Sequence, residues 1–238
     1  VIRIVQRVAV VVALAVGAAV MPAVAGATEA ASLAGFDISE SQGVPDLNAA
    51  KAAGATFAFV KDTAGVGYAN PNYLAQFRAV KAAGMIRGSY HYARPDKSTG
   101  AAQAAYLHDH DGRWFSDGMT LPPALDMEDT QGAPPCYNLS PQDMVNWIRD
   151  FSTTLKARTG HTPIIYTTTL WWKRCTGNST AFSGDHVLWL ARFNTSMGEV
   201  PGGWNATFWQ SGVTGRLPGN QDTFYGTQAQ LKALTISG

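Results

Sequence analysis

Residues 56–92 read TFAFVKDTAGVGYANPNYLAQFRAVKAAGMIRGSYHY, and how they fold decides the architecture. Residues 56–60 and 85–90 are short apolar runs with the length and composition of strands. Between them Asn70-Pro71 opens a helix that puts Leu74, Phe77 and Val80 on one face, and Gly84 closes it. Two strands joined through a helix form a parallel pair, because a parallel neighbour is reached only by a long crossover that returns the chain to its starting edge.

The same alternation runs outward in both directions. Upstream, the run 33–36 ends at Asp37, and a helix follows from Pro45-Asp46 to Gly54, with Pro in an early turn and Gly just past the end. Downstream, a helix is predicted over about 100–108 and a strand over 121–128. Ser140-Pro141 then supplies an N-cap and first-turn pair for a long helix. In it Met144, Trp147, Ile148, Phe151 and Leu155 recur at helical spacing before Gly160. Residues 163–166, 187–191 and 207–210 read as further strands, the last two joined by a Gly/Pro-rich stretch without a helical pattern. The expectation is one α/β domain over residues 33–238, a TIM-like barrel that is irregular or incomplete towards its C-terminal end. Its strands end at Asp37, Asp62, His91, Glu128, Tyr166, Trp189 and Trp209, and in parallel barrels that rim is where chemistry sits.

Composition narrows the function. Charged residues make up 15% of the chain and nearly cancel, at a net charge of +1, so neither a basic face for nucleic acid nor one for anionic lipid is expected. Arg3 and Arg7 precede an apolar run over residues 8–20, and Ala23-Val24-Ala25 closes it with a small-x-small site. Residues 1–25 therefore read as a cleaved secretory signal peptide, too short in its apolar centre to span a bilayer, and the mature protein is expected outside the cell as a monomer without a membrane span. Cys136 and Cys175 are the two cysteines, and in an oxidising compartment they read as one disulfide.

Asp126-Met127-Glu128 is the sharpest local signal. Side chains two apart on a strand share a face, so the two carboxylates stand together and one proton is held more tightly. Such a pair supplies an acid for a leaving oxygen and an anion for positive charge at a sugar carbon. A lone D-x-E also suits metal binding or helix capping. Asp37 reads equally as a helix cap, and Asp222 reads locally as a turn residue. His108-Asp109-His110-Asp111 spreads around a helix end, which disfavours a metal site. No zinc-protease, nucleotide-loop or dinucleotide motif occurs, and no serine sits in a nucleophile-elbow context.

Taken in order, Gly35-Phe36-Asp37-Ile38-Ser39, Phe59-Val60-Lys61, Gly88-Ser89-Tyr90-His91-Tyr92-Ala93, Leu125-Asp126-Met127-Glu128, Ile165-Tyr166-Thr167 and Phe208-Trp209-Gln210 resemble the motifs of glycoside hydrolase family 25, the muramidases or Chalaropsis-type lysozymes. The contexts of Cys136 and Cys175 look like the family's fungal and actinobacterial branch. The resemblance implies cleavage of the β-1,4 bond between N-acetylmuramic acid and N-acetylglucosamine in bacterial peptidoglycan, with no metal or organic cofactor. It implies Glu128 as general acid and Asp126 as the partner that attacks the anomeric carbon or orients the substrate's acetamido group. It implies Asp37 and Asp222 as the remaining acids, and a sugar-binding wall of Tyr90, His91, Tyr166, Trp189, Trp209 and Gln210. The family commonly carries Lys-x-Thr-Glu-Gly after its second strand, where this chain has Lys61-Asp62-Thr63-Ala64-Gly65, and no role transfers to Asp62. Two rival expectations are a chitinase-like glycosidase, whose D-x-x-D-x-D-x-E run is absent, and a wall-binding domain that has no need of an acid pair.

Overall fold

A computed structural model describes residues 1–2 and 31–236, so the leader expected over 1–25 lies outside the described residues but for its first two. The strands are β1 (Ser32–Ile38), β2 (Phe57–Ala64), β3 (Tyr68–Ala69), β4 (Ile86–Tyr92), β5 (Ala124–Met127), β6 (Ile164–Thr168), β7 (Leu188–Ala191), β8 (Phe208–Gly212) and β9 (Asn220–Tyr225). The helices are α1 (Leu47–Ala52), α2 (Tyr73–Ala82), α3 (Gly100–Asp109), α4 (Pro141–Thr159), α5 (Thr169–Thr176) and α6 (Gln228–Ala233). Eight strands close in the order β1-β2-β4-β5-β6-β7-β8-β9, with β3 a short hairpin partner of β2. All neighbours from β1 round to β8 are parallel, and β9 closes the ring antiparallel to both β8 and β1. The irregularity expected at the C-terminal end is this reversed strand, together with a β7–β8 connection that holds no helix.

Strand alternation sorts the side chains into three cores. The barrel interior is aromatic: Phe57, Phe59, Tyr90, Tyr166, Trp189, Phe208 and Phe224. Phe59 stacks on Trp189 at 4.3 Å, and Phe57 meets Phe208 edge-on at 5.3 Å. Such rings fit because Gly35 and Gly88 face them; a Cβ at either position would stand 2.4 Å from the ring of Phe57 or Phe59. Outward-facing residues pack under the helices, Phe36, Ile38, Ala58 and Val60 under α1 and α2, and Leu125, Met127, Ile165, Leu188 and Leu190 under α3 to α5.

Helix starts follow the sequence closely. The Asp46 carboxylate accepts from the Ala49 N–H and the Ser140 hydroxyl from the Asp143 N–H, while Gly160 ends α4 in the left-handed conformation. The face expected for α2 needs correction: Leu74 is exposed, and the buried stripe is Tyr73, Gln76, Phe77 and Val80. Gln76 earns burial by hydrogen bonding, its Nε2 donating to the Ser39 and Gly43 carbonyls and its Oε1 accepting from Asn70. It thereby clamps the loop after β1 to α2.

Cys136 and Cys175 form the expected disulfide, joining the loop after β5 to α5. Cys136, Tyr137 and Asn138 all hold positive φ, an unfavourable run that the bridge stabilises. The Tyr137 hydroxyl in turn donates to the Glu128 carbonyl at 2.6 Å, so the bridge braces the backbone of a candidate site residue. Cleavage of this 39-residue link, or its removal in Cys136→Ser/Cys175→Ser, is expected to cost roughly 4 kcal/mol in the chain-entropy treatment. Thiol alkylation followed by mass spectrometry should find no free thiol in the native protein, and denaturant melts should show the double variant less stable. Two reactive thiols in the native state would contradict the pairing.

Candidate active site

The open end of the barrel is a carboxylate-floored cleft. Asp37 on β1 and Asp126 on β5 point inward, as do Tyr90 on β4, Tyr166 on β6, Trp189 on β7 and Gln210 on β8. Glu128 stands one residue beyond the end of β5, on the same wall as Asp126. Ser39, Lys61, Tyr92 and Asn220 complete the lining. The cleft is tight, about 160 Å³, and opens on either side into wider grooves, one sharing Lys61 and Tyr92 and the other sharing Glu128 and Tyr166. A site open at both ends suits the middle of a chain.

A hydrogen-bonded chain fixes Asp37. The Tyr166 hydroxyl donates to Gln210 Oε1 at 2.9 Å, Gln210 Nε2 donates to Asp37 Oδ2 at 2.6 Å, and Asn220 Nδ2 donates to Asp37 Oδ1 at 3.0 Å. Asp222 lies one layer deeper, on β9 rather than in the turn its local sequence suggests. Its Oδ1 accepts from Trp189 Nε1 at 3.0 Å and holds the indole in the cleft wall. Its Oδ2 is buried without a conventional donor among the described residues but lies against Asp37, so a proton on Asp222 donated to Asp37 satisfies both.

Burial dominates the electrostatics. It raises Asp37 to about 6, against the pull of the Gln210 and Asn220 hydrogen bonds. Burial, then Asp37 and Asp129, raises Glu128 to about 7, and Lys61 opposes the shift. Asp126 is pushed well above the ordinary carboxylate range by burial, then by Glu128 and Asp37, again against Lys61. The cluster therefore holds protons at neutral pH that isolated acids would have lost. Lys61 is the cation in this lining; its Nζ stands 3.9 Å from Glu40 and over the rings of Tyr68 and Tyr92 at 5.1 and 5.4 Å.

Two residues expected in the sugar-binding wall lie elsewhere. His91 alternates with Tyr90 and Tyr92 and so faces the helix layer, where Nδ1 meets Thr63 Oγ1 and Nε2 meets Gln103 Oε1, each at 2.8 Å. Burial there lowers its pKa to about 4. Trp209 lies between the inward Phe208 and Gln210, so it sits outside the barrel, donating from Nε1 to the Arg192 carbonyl and lying parallel to Tyr225. Asp62 also turns away: a register shift between Lys61 and Thr63 buries it, and burial followed by repulsion from Asp111 raises it to about 8. Asp129, next in sequence after Glu128, is engaged by Arg174 at 2.7 Å. Lys61, Ser39, Tyr92 and Asn220 were not anticipated; extending the inward series Phe57, Phe59 by two residues points to Lys61. Among the described residues no group of three or more His, Cys, Asp or Glu side chains could hold a metal ion, the 108–111 cluster included.

A β/α barrel whose rim gathers buried, proton-holding carboxylates between tyrosine and tryptophan walls has the architecture of a glycoside hydrolase. The sequence profile of the family described as Glycosyl hydrolases family 25 matches residues 36–220, and the chain belongs to that family. It is 42% identical to an N,O-diacetylmuramidase of Arthroderma benhamiae, over 95% of this chain and 97% of that protein. It is 43% identical to the N,O-diacetylmuramidase of Chalaropsis sp., over 84% of this chain and 97% of that one. A family GH25 lysozyme from Aspergillus fumigatus superposes with a TM-score of 0.85 at 39% identity, covering 87% of this chain and 100% of that one.

Proposed function

We propose that this glycoside hydrolase is a secreted muramidase that cleaves the β-1,4 bond between N-acetylmuramic acid and N-acetylglucosamine in bacterial peptidoglycan. The observation that carries the reading is the Asp126/Glu128 wall, two carboxyls on one face of a cleft that burial keeps partly protonated. Similarity to two N,O-diacetylmuramidases supports the bond and the polymer. The leader-like residues 1–25 and the disulfide support export, and no helix among the described residues is long and apolar enough to cross a membrane.

In the working state the coupled pair shares one proton and one negative charge; burial raises both carboxyls, and the form that reacts is the one with the proton on Glu128 and the charge on Asp126. Glu128 passes its proton to the glycosidic oxygen as the bond from that oxygen to the anomeric carbon breaks, so the leaving sugar departs as a neutral alcohol. Asp126 faces the positive charge that develops at the anomeric carbon and stabilises it from the buried floor of the cleft. Water then adds to that carbon and gives up a proton to Glu128, which restores the acid. Tyr166, Gln210 and Asn220 hold Asp37 in place beneath the reacting ring, and Trp189, anchored by Asp222, forms a flat side wall. The deep position of Asp222 makes it a positioning residue in this scheme.

The test is a digest of purified peptidoglycan with the new reducing ends identified by mass spectrometry. Muramic acid at those ends is the expected result. Glucosamine ends would make the protein a glucosaminidase of chitinase-like preference, and binding without release would make it a wall-binding module.

A further inference from the structure

Lys61 lines a cleft full of acids and pairs with none of them. Asp37, Asp126 and Glu128 share the cleft with it, yet among the described residues its ion pair is with Glu40, in the turn after β1. Asp126 and Glu128 feel its charge, which opposes the upward shift of both, but no described ion pair joins Lys61 to either. A lysine among uncompensated carboxyls gains by approaching them, so something holds this one back. The restraint is built into the backbone. Asn70 Nδ2 donates to the Lys61 carbonyl at 2.8 Å, and Asn72 Nδ2 donates to the Glu40 carbonyl at 3.3 Å. Gln76 Nε2 donates to the carbonyls of Ser39 and Gly43, on either side of Glu40. Side chains at the start of α2 therefore fix both members of the pair, and the rings of Tyr68 and Tyr92 lie under the ammonium. Although burial works the other way, its own backbone N–H, Tyr68 and Lys61 hold Glu40 below the ordinary carboxylate range. Glu40 therefore stays an anion at the pH where the cleft acids titrate.

We propose that Glu40 is a positioning residue that holds Lys61 short of Asp126 and Glu128, and so sets the pH range in which the enzyme works. The assignment rests on the reading of Glu128 as general acid. Released from Glu40, the ammonium turns toward the acid pair and stabilises its ionised forms. Loss of the Glu40 anion acts in the same direction, because one negative charge fewer leaves the shared proton less tightly held. Both limbs of the pH profile then move to lower pH. The other groups around Lys61 do not compete for it. Asp37 is held on both oxygens by Gln210 and Asn220, Asp129 is engaged by Arg174, and Arg94 and Lys97 are engaged by Asp96 at 2.8 and 3.4 Å. Tyr68, Tyr90, Tyr92 and Tyr166 are all pushed up by burial and remain neutral in the working range.

The experiment measures kcat/KM against pH on soluble peptidoglycan fragments for wild type, Glu40→Gln, Lys61→Met and the double variant, with thermal melts to confirm folding. The Glu40 side chain is 39% exposed, so water screens the pair and the expected shift is moderate. The profile of Glu40→Gln should move to lower pH by about half a unit or more, a roughly threefold loss on its alkaline side. That of Lys61→Met should move to higher pH. Adding Glu40→Gln to Lys61→Met should then move the limbs much less than it does alone, because its effect passes through Lys61. Glu40→Asp, which keeps the charge on a shorter arm, should fall between wild type and Glu40→Gln. The readout is the position of the limbs, which a merely structural role for Glu40 would leave in place while lowering the rate at every pH. Limbs unmoved in a folded Glu40→Gln protein would overturn the proposal. So would an equal shift with and without Lys61, which would mean that Glu40 acts by its own charge. A descending limb that persists in Glu128→Gln would remove the general-acid reading and this assignment together, whereas a limb lost in Glu128→Gln and unmoved in Glu40→Gln removes the role of Glu40 alone.

Discussion

Glu128→Gln is expected to lower the rate of peptidoglycan cleavage by roughly 100-fold or more while the protein stays folded. The amide keeps the size and shape of the acid at the mouth of the cleft but has no proton of useful acidity to give the leaving oxygen. The backbone at 128 is held independently of the side chain, by the Tyr137 hydroxyl on its carbonyl and by the disulfide behind Tyr137, so the loop keeps its place. Because the substitution removes one member of a cluster of mutually repelling acids, the melting midpoint should equal or slightly exceed that of wild type. Initial rates on purified walls, paired with thermal melts, check both parts. A folded Glu128→Gln protein with near-normal rates would mean that another group supplies the proton.

Asp126→Asn should also be severely impaired, for a different reason that substrate choice can expose. The side chain is buried at the cleft floor, and its Oδ1 has no hydrogen-bond partner among the described residues, so no donor offsets a negative charge on that oxygen. Replacing it by an amide removes the anion opposite the developing positive charge and leaves the acid intact. An activated aryl glycoside leaves without being protonated. Turnover of such a substrate should therefore recover in Glu128→Gln and stay low in Asp126→Asn. Recovery in Asp126→Asn with none in Glu128→Gln would exchange the two roles.

Much of this arrangement was legible before any coordinates, and the exceptions have physical causes. Parallel strands of a closed barrel are covered on both faces, so β2, β4, β6 and β7 announce themselves as apolar runs, and capped helices such as α4 are bounded by Ser140-Pro141 and Gly160. By contrast β9, Asn220–Tyr225, is largely polar because its inward Asn220 and Asp222 serve the acid cluster, and no apolar run betrays it. Asp222 is locally a candidate acid that a turn explains better, and its depth behind Asp37 and Trp189 follows from the antiparallel closure of the ring. Parity explains the two misplaced wall residues. His91 and Trp209 each neighbour an inward residue on a strand, and period-two alternation sends them to the outside. Applied strictly, the same rule selects Tyr90, Tyr92 and Gln210, and it also selects Lys61, whose charge opposes the upward shifts of Asp126 and Glu128. Leu74 failed for a related reason: the stripe of α2 is set by Tyr73 and by the hydrogen-bonded Gln76, which a purely apolar pattern overlooks.

The central claim is that a buried carboxylic acid, which burial leaves partly protonated at neutral pH, delivers the proton that breaks the glycosidic bond. The most direct test is the pH dependence of kcat/KM on peptidoglycan fragments, which reports the ionisation of the free enzyme. Because Glu128 is raised to about 7 and must be protonated to act, the rate should decline as pH rises through about 7, and it should also fall on the acid side once Asp126 takes up the proton that its role excludes. The alkaline limb belongs to the Asp126/Glu128 pair jointly, and it should vanish from the residual activity of Glu128→Gln. A wild-type profile that stays flat well into the alkaline range, or a descending limb that persists unchanged in Glu128→Gln, would contradict the account.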